Sequence, residues 1–423
     1  MFRKTTLENG LRVITAPMHG TNTVTILVLC ETGSDNEPEG KVGISHFLEH
    51  MFFKGTEKRP DKREIAETLD RVGAEFNAFT AEELTAYYVK VPAEHLRLAV
   101  DVVSDILLRS LFPAPEIERE KGVIAEEIRM YTDSPMSHVQ HLWLAALFGA
   151  HPLGRRIDGS LASVRAFTRR DFRQYTKRHY HTGNAVVAVA GRFETDEVRG
   201  LVRKAFEPLP TGAATHPRVM KRRLPARRLV HERRPTLDQT HLVVGVPGIR
   251  FSDPRRFAAD ILATLLGGGM SSRLFMRVRE ERGLAYAVRA SSENFVDCGS
   301  WVVQAGLRSD GVAEAWQIIN EEFDRVMDEL VSEGELSKAQ EMLRGRLVMG
   351  LEETNAQALF CGGQALLEGS VRAPEDIWRE IARVRVRDVQ RVAKELLPRS
   401  RRAAALLGPQ RSVRRLEEML GVN

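Results

Sequence analysis

The sequence predicts an α+β protein made of two duplicated domains, each a mainly antiparallel sheet with helices packed on one face. Three observations carry this. A chain of 423 residues is too long for one ordinary domain and suits two of about two hundred residues each. Strand and helix patterns are mixed without the strict strand–helix–strand alternation that a parallel sheet requires. The second half also repeats the first: Asp171-Phe172 through Ala185 to Gly191 is echoed by Asp388-Val389 through Ala403 to Gly408. The repeat, with a shift to prolines and basic clusters between its copies, gives a first domain over 1–207, a linker over 208–235 and a second domain over 236–423.

The elements follow in order. Asn9-Gly10 is a turn leading into a strand at Leu11–Ile14, and Thr23–Cys30 is β-branched and apolar enough to lie centrally in a sheet. A polar loop over Gly33–Gly43 leads into a helix, with Ser45 placed as its cap. A helix over Asp61–Val72 precedes two strands, Ala74–Thr80 and Leu84–Val91, joined by a short turn and stopped by Pro92. Ala93–Leu108 is an amphipathic helix, and the loop of Pro113 and Pro115 introduces a helical run through Glu116–Met130. Helices over Met136–Phe148 and Thr168–Arg178 and an apolar strand at Ala185–Ala190 complete the first half. The linker interleaves Pro208, Pro210, Pro217, Pro225 and Pro235 with Lys221-Arg222-Arg223 and Arg227-Arg228, a charge run that reads as a solvated face, with contact to an acidic partner surface as the alternative. In the second half, Leu284–Ala290 and Ser300–Leu307 mirror the paired strands near Asn77. The helix Glu335–Leu351 mirrors Glu116–Met130.

Composition narrows the functional classes. An apolar fraction of 43% and a charged fraction of 28% belong to a globular protein. The net charge of +5 comes from interspersed charges and aromatics are sparse at 7%, so nucleic acid is not an expected partner. Cys30, Cys298 and Cys361 are odd in number and widely spaced, which gives neither a disulfide framework nor a cysteine metal site. The first residues lack the apolar core of a signal peptide and no apolar run approaches the roughly 20 residues that span a bilayer. The expectation is a cytoplasmic protein with no membrane association.

The chemistry concentrates in Ser45-His46-Phe47-Leu48-Glu49-His50-Met51-Phe52-Phe53-Lys54-Gly55. Residues four apart on a helix lie one above the other, so His46 and His50 can offer ring nitrogens to one ion while Glu49 projects beside them. With twelve histidines in the chain, a lone match of this kind has a real chance of being accidental. A further carboxylate changes that. Glu120 and Glu127, seven apart on the downstream helix, share one face, and two histidines with one glutamate make the usual three protein ligands of a catalytic zinc. Zinc, one per chain, is the cofactor these residues suit, and Glu49 is the base positioned to take a proton from water.

The order of the motif, with Glu directly before the second His, resembles the inverted signature of the pitrilysin/insulinase family of zinc metallopeptidases. The resemblance covers essentially the whole chain, in the family's short two-domain form. It implies that the third ligand is the Glu seventy-seven residues past the second His, which lands on Glu127, and that Glu120 is the family's accessory carboxylate at the catalytic site. It implies that Arg279 and Tyr286, seven apart in the metal-free half, serve as catalytic donors to an oxyanion. Read without the family, Arg279 is a surface ion-pair partner and Tyr286 a core ring. Asn77-Ala78-Phe79-Thr80 resembles the family's edge strand, to which a peptide substrate adds as a further strand; as bare sequence it is an ordinary strand. Where the first half carries ligands, the second has Leu265-Leu266-Gly267-Gly268-Gly269, then Ala339 and Arg346. The glycines are not a phosphate-binding loop, because no Lys-Ser or Lys-Thr follows them.

The resemblance implies a zinc endopeptidase acting on unfolded peptides, oligopeptides or leader peptides inside a dimeric chamber. A homodimer is expected and a heterodimer with a related subunit is the alternative. In longer relatives the Arg and Tyr come from the opposite half of the molecule, so in a short-form dimer they act in trans. The rival implication is a non-catalytic or processing-partner subunit, against which stands the retention of every ligand and of the base.

Overall fold

The computed structural model describes residues 2–214, 225 and 227–421. Its strands form two sheets. The first contains β1 (Arg3–Thr6), β2 (Arg12–Pro17), β3 (Thr23–Cys30), β4 (Glu75–Thr80), β5 (Thr85–Pro92) and β6 (Ala185–Gly191), in the order β1-β2-β6-β3-β5-β4. The second contains β7 (Leu229–Arg233), β8 (Gln239–Pro247), β9 (Ala285–Asn294), β10 (Gly299–Arg308) and β11 (Ala403–Gly408), in the order β7-β11-β8-β10-β9. Apart from β1, the two orders correspond strand for strand. Even the exception to antiparallel pairing recurs, since β2 runs parallel to β6 and β7 parallel to β11. The duplication read from the sequence is therefore a duplication of topology within an α+β fold.

Each sheet has a thick helical layer on one face. Val24, Ile26 and Val28 of β3 and Val187 and Val189 of β6 turn one way into a core with Phe47, Leu48, Val103 and Phe172. Alternate residues point to opposite faces of a strand, and here the second face is apolar as well. Leu27, Leu29, Val186 and Ala188 are buried against Ala358, Cys361 and Ala365 of helix Thr354–Leu367. A Cβ on Gly362 would come within 2.4 Å of the Leu29 side chain, so glycine lets this helix lie close on the sheet. In the second sheet the corresponding face, with Val243, Val302, Ala405 and Leu407, is covered by Val139, Trp143 and Leu147 of helix Pro135–Phe148.

The covering helices come from the opposite halves of the sequence. One compact unit comprises Met1–Arg129, Arg156–Arg218 and Val348–Ala373, and the other Met130–Arg155, Val219–Leu347 and Pro374–Asn423. As units of the sequence repeat, 1–207 and 236–423 with 208–235 between them remain a proposal, whereas the compact units exchange one helical segment each. An apolar helix face is buried wherever a complementary sheet face is open, and the chain crosses over to provide it. Within the proposed linker, Lys221-Arg222-Arg223 lies outside the described residues. Arg228 departs from the expected solvated run, since its guanidinium donates to the carbonyls of Arg402 (2.7 Å), Arg399 (2.8 Å) and Leu420 (2.5 Å).

Candidate metal centre

The short helix Ile44–Met51 is buried on most of its surface and is fixed at its N-terminus by a carboxylate from the preceding loop. Glu37, itself buried, accepts from the backbone N–H of Gly43 (2.7 Å) and of Ser45 (2.8 Å). An anion there satisfies donors that have no partner within the helix and opposes the positive end of its dipole. Ser45 is not the side-chain cap expected from the sequence. It lies inside the helix, and its hydroxyl bonds the Gly33 carbonyl (3.2 Å) and the Tyr175 hydroxyl (2.9 Å). The N-cap is Gly43 at φ 92°, where a Cβ would meet Gly159 at 2.8 Å, so glycine is required for both conformation and space.

The anchored helix points His46 and His50 at Glu127, which projects from helix Ala114–Asp133. Glu127 Oε2 is 3.6 Å from Nε2 of each histidine. One ligand atom from each of the three lies within 4.8 Å of the others. A tetrahedral ion with bonds near 2.1 Å holds its ligand atoms about 3.4 Å apart, so two nitrogens and one oxygen at this spacing fit a zinc ion. Electrostatics agree. Burial alone would lower the His46 pKa, but its hydrogen bond to Glu127 and the charges of Glu127, Glu49 and Asp158 outweigh it and raise the pKa above the ordinary value. The potential that favours a proton on this ring equally favours a cation beside it.

The second nitrogen of His50 is also engaged. Its Nδ1 lies 2.8 Å from Glu120 Oε1, and the other oxygen of Glu120 is 2.7 Å from Lys54 Nζ. Burial would push the Glu120 carboxyl up, but the hydrogen bonds and charges of His50 and Lys54 hold it below the usual range. As an ionised acceptor Glu120 keeps the proton of His50 on Nδ1 and leaves Nε2 facing Glu127. Glu120 thus touches a candidate ligand, not the reacting position. Lys54 and Glu37 escaped sequence reasoning. The only signal for Lys54 was its position within a stretch already singled out, and for Glu37 there was none, since its partners are backbone N–H groups.

Glu49 carries the remaining polar group of the helix. Its Oε2 accepts from the Thr80 hydroxyl at 2.6 Å, which ties it to the end of β4. Among the described residues β4 is an edge strand bonded to β5 alone, and its other side is open, as strand addition needs. The four residues of the expected substrate strand divide between its faces. Thr80 reaches the metal helix, Ala78 is buried in the core beneath it, and Phe79 packs on the opposite face with Leu27, Ala86 and their neighbours. The Asn77 side chain accepts from the N–H of Ala78 at 2.9 Å.

Arg279 and Tyr286 lie in the second unit, where the structure brings them together. The Arg279 guanidinium carbon is 5.2 Å from the centre of the Tyr286 ring and 4.8 Å from that of Phe275. Tyr286 is 77% exposed, which excludes the reading of it as a core ring, and Glu280 pairs with Arg279 only loosely at 3.6 Å. His46, Glu49, His50, Glu120 and Glu127 converge in the first unit, and Arg279 and Tyr286 in the second.

A duplicated α+β architecture whose first copy carries a His-Phe-Leu-Glu-His helix, faced by a glutamate from a second helix, defines the class: a protein built on the metallopeptidase plan with the inverted motif. The comparisons agree. Residues 12–160 match the family described as insulinase, peptidase family M16, and residues 166–343 match the peptidase M16 inactive domain. An uncharacterized zinc protease of Streptomyces coelicolor is 38% identical over 412 residues, covering 96% of this chain and 89% of its own. One of Bacillus subtilis is 34% identical over 409 residues, covering 97% and 98%. Among solved structures, a protease from Helicobacter pylori superposes with a TM-score of 0.89 at 23% identity, covering 97% of this chain and 99% of its own. A chain of complex III2 from Candida albicans superposes at 0.82 with 19% identity, covering 99% of both, a likeness of fold alone. This chain belongs to peptidase family M16, the insulinase family, in its short two-domain form. Among the described residues no helix is long and apolar enough to cross a membrane.

Proposed function

We propose that this protein is a zinc-dependent endopeptidase that hydrolyses unfolded peptides or oligopeptides, leader peptides among them. The observation that carries the reading is the convergence of His46, His50 and Glu127 beside Glu49, at the end of an open strand edge. Zinc, when held by these three side chains, supplies Lewis acidity that polarises a peptide carbonyl and makes water nucleophilic at neutral pH.

The chain's own residues do the rest. Glu49 takes the proton of the attacking water and returns it to the leaving amine, while the Thr80 hydroxyl fixes the direction of its carboxylate. Glu120, held by Lys54, orients His50. The open side of β4, with Asn77, Ala78, Phe79 and Thr80, receives the substrate as an added strand, so binding rests mainly on backbone hydrogen bonds and requires an extended chain. Arg279 and Tyr286 donate to the oxyanion that forms as the carbonyl is attacked. In a homodimer, or in a heterodimer with a related subunit, they serve the metal centre of the partner chain.

The experiment is digestion of an unstructured peptide library with and without a chelator, read by mass spectrometry. Internal cleavage that chelation abolishes and zinc restores is expected. Intact peptides in the presence of zinc would support the second reading, a non-catalytic or processing-partner subunit, which is favoured only by the likeness of fold to a chain of complex III2.

A further inference from the structure

The second unit contains a groove of about 770 Å³ along β9, bordered by Gly268, Arg279, Tyr286, Arg289, Gln304 and Arg346. Among the described residues β9 is an edge strand bonded to β10 alone. The groove occupies the place in the duplicate that the metal centre has in the first unit. Glu127 stands thirteen residues after the first residue of helix Ala114–Asp133, and Arg346 thirteen after the first residue of helix Glu333–Gly350. At the same offset the carboxylate has become a guanidinium, and buried Ala339 stands at the position of Glu120.

The charge around this guanidinium is uncompensated. Among the described residues no Asp or Glu borders the groove and no carboxylate pairs with Arg289 or Arg346. Other arginines of the unit do have such partners: Arg273 bonds Glu335, Arg277 bonds Glu322 and Arg282 bonds Glu314. Arg346 donates from Nη2 to the carbonyl of Gly268, the residue that ends helix Arg256–Gly267. A guanidinium has five N–H donors, so this bond anchors the fork without using it up. Gly267 lets the helix end lie close on β9, since a Cβ there would meet the Ala290 backbone nitrogen at 2.2 Å.

We propose that this groove binds a carboxylate carried by a peptide, the peptide backbone adding to the open edge of β9 and Arg346 and Arg289 receiving the anion. The arginine fork matches a carboxylate with two parallel hydrogen bonds. The adjoining strand edge selects an anion that a peptide carries, either its C-terminal carboxylate or an acidic side chain. The proposal names a substrate class for the peptidase reading and rests on that reading for its biological sense, but binding to the groove needs neither zinc nor turnover.

The test uses the full-length protein stripped of metal, which cannot cleave, and three labelled unstructured peptides of one sequence followed by fluorescence anisotropy at low salt. One ends in a free carboxylate, one in an amide, and one is the amide with a single internal Gln replaced by Glu. At least one acidic form is expected to bind about tenfold tighter than the neutral amide, a difference of about 1.4 kcal/mol. R346Q should remove that preference while leaving the affinity for the amide unchanged, and R346K should restore part of it. Preference for the free acid identifies the C-terminus as the ligand, and preference for the internal Glu identifies a side chain. Equal binding of all three peptides by the wild type would overturn the proposal, as would a preference that survives both R346Q and R289Q. Should R346Q weaken the amide as well, the wild-type comparison and R289Q still decide. An acid preference without cleavage by the zinc-loaded protein would sink the peptidase reading alone, and cleavage without an acid preference would sink this proposal alone.

Discussion

The two units share one topology and differ in one kind of chemistry. In the first, a helix ending near β4 presents His46, Glu49 and His50, and a second helix presents Glu120 and Glu127. In the second, the corresponding helix ends at Gly267 and is followed by Gly268 and Gly269, and Ala339 and Arg346 stand in place of the carboxylates. Sheet order, the parallel pair and the open edge strand are common to both. The scaffold alone therefore does not make the candidate metal centre: the five side chains proposed for it stand on one copy only. Fold and function separate within a single molecule, with one copy as the control for the other.

The largest effects fall on the residues that the second copy lacks. Glu49→Gln should lower peptide turnover by about a hundred- to ten-thousandfold while zinc stays bound, since general acid–base work contributes on the order of 10² to 10⁴ and the amide cannot perform it. Glu127→Gln should lose activity together with zinc. Metal analysis beside the activity assay separates the two, and loss of zinc in Glu49→Gln would make Glu49 a ligand.

The next effect concerns what the second unit supplies. Tyr286→Phe should lower kcat by about a hundredfold, the scale of one lost oxyanion donor. Equal mixing of the Glu49→Gln and Tyr286→Phe proteins with subunit exchange puts about half the molecules in mixed dimers, each with one intact site if the donors act in trans. Activity should then recover to roughly a quarter of wild type. Mixed dimers detected by mass spectrometry but no more active than the parents would place the donors in the same chain as the metal.

A smaller effect is expected from the support behind His50. Lys54→Met and Glu120→Gln should each weaken zinc binding by about ten- to a hundredfold, the usual cost of losing a group that orients a ligand. Lys54→Arg should restore much of it, as read by competition with a chelator. Zinc affinity unchanged in both variants would reduce the Lys54–Glu120–His50 chain to packing.

How much of this was legible in the sequence depends on the range of the interaction involved. His46, Glu49 and His50 were readable because a helix has a fixed period, and Glu120 with Glu127 because seven residues return to the same face. The duplication was readable because it repeats spacings. The cap was misread at Ser45, because a local rule offered the nearest hydroxyl while Glu37 reaches the helix end from outside it. Which sheet helix Pro135–Phe148 covers was not legible either. Periodicity shows that a helix has an apolar face, but not which of two similar sheets will bury it. The pairing of Lys54 with Glu120 required the fold, since sixty-six residues separate them.

The smallest expected effect distinguishes the two units by pH. Burial, reinforced by Arg178 and His181, lowers the His179 pKa to about 4, whereas burial raises that of Asp260 in the second unit to about 6. A His depressed in the folded state contributes stability that is present above its unfolded pKa near 6.5 and lost as the pH falls through 4. A raised Asp contributes in the opposite sense, most below its unfolded pKa near 3.9, and loses that contribution as the pH rises through 6. Acidification from pH 7 to 4 should therefore weaken the first unit through His179, by about 3 kcal/mol at most. His179→Phe should flatten that dependence in denaturant unfolding followed by a probe in the first unit. An unchanged slope between pH 6.5 and 4 would assign the acid sensitivity elsewhere.

By the proposed function, one copy of the duplicated fold holds a catalytic metal and the other holds none. Titration of metal-stripped protein with zinc, following bound metal and cleavage of an unstructured peptide together, tests it most directly. Tight binding is expected to saturate at one zinc per chain, with activity reaching its plateau at that same point. A second tight equivalent, or full cleavage before zinc is added, would contradict it.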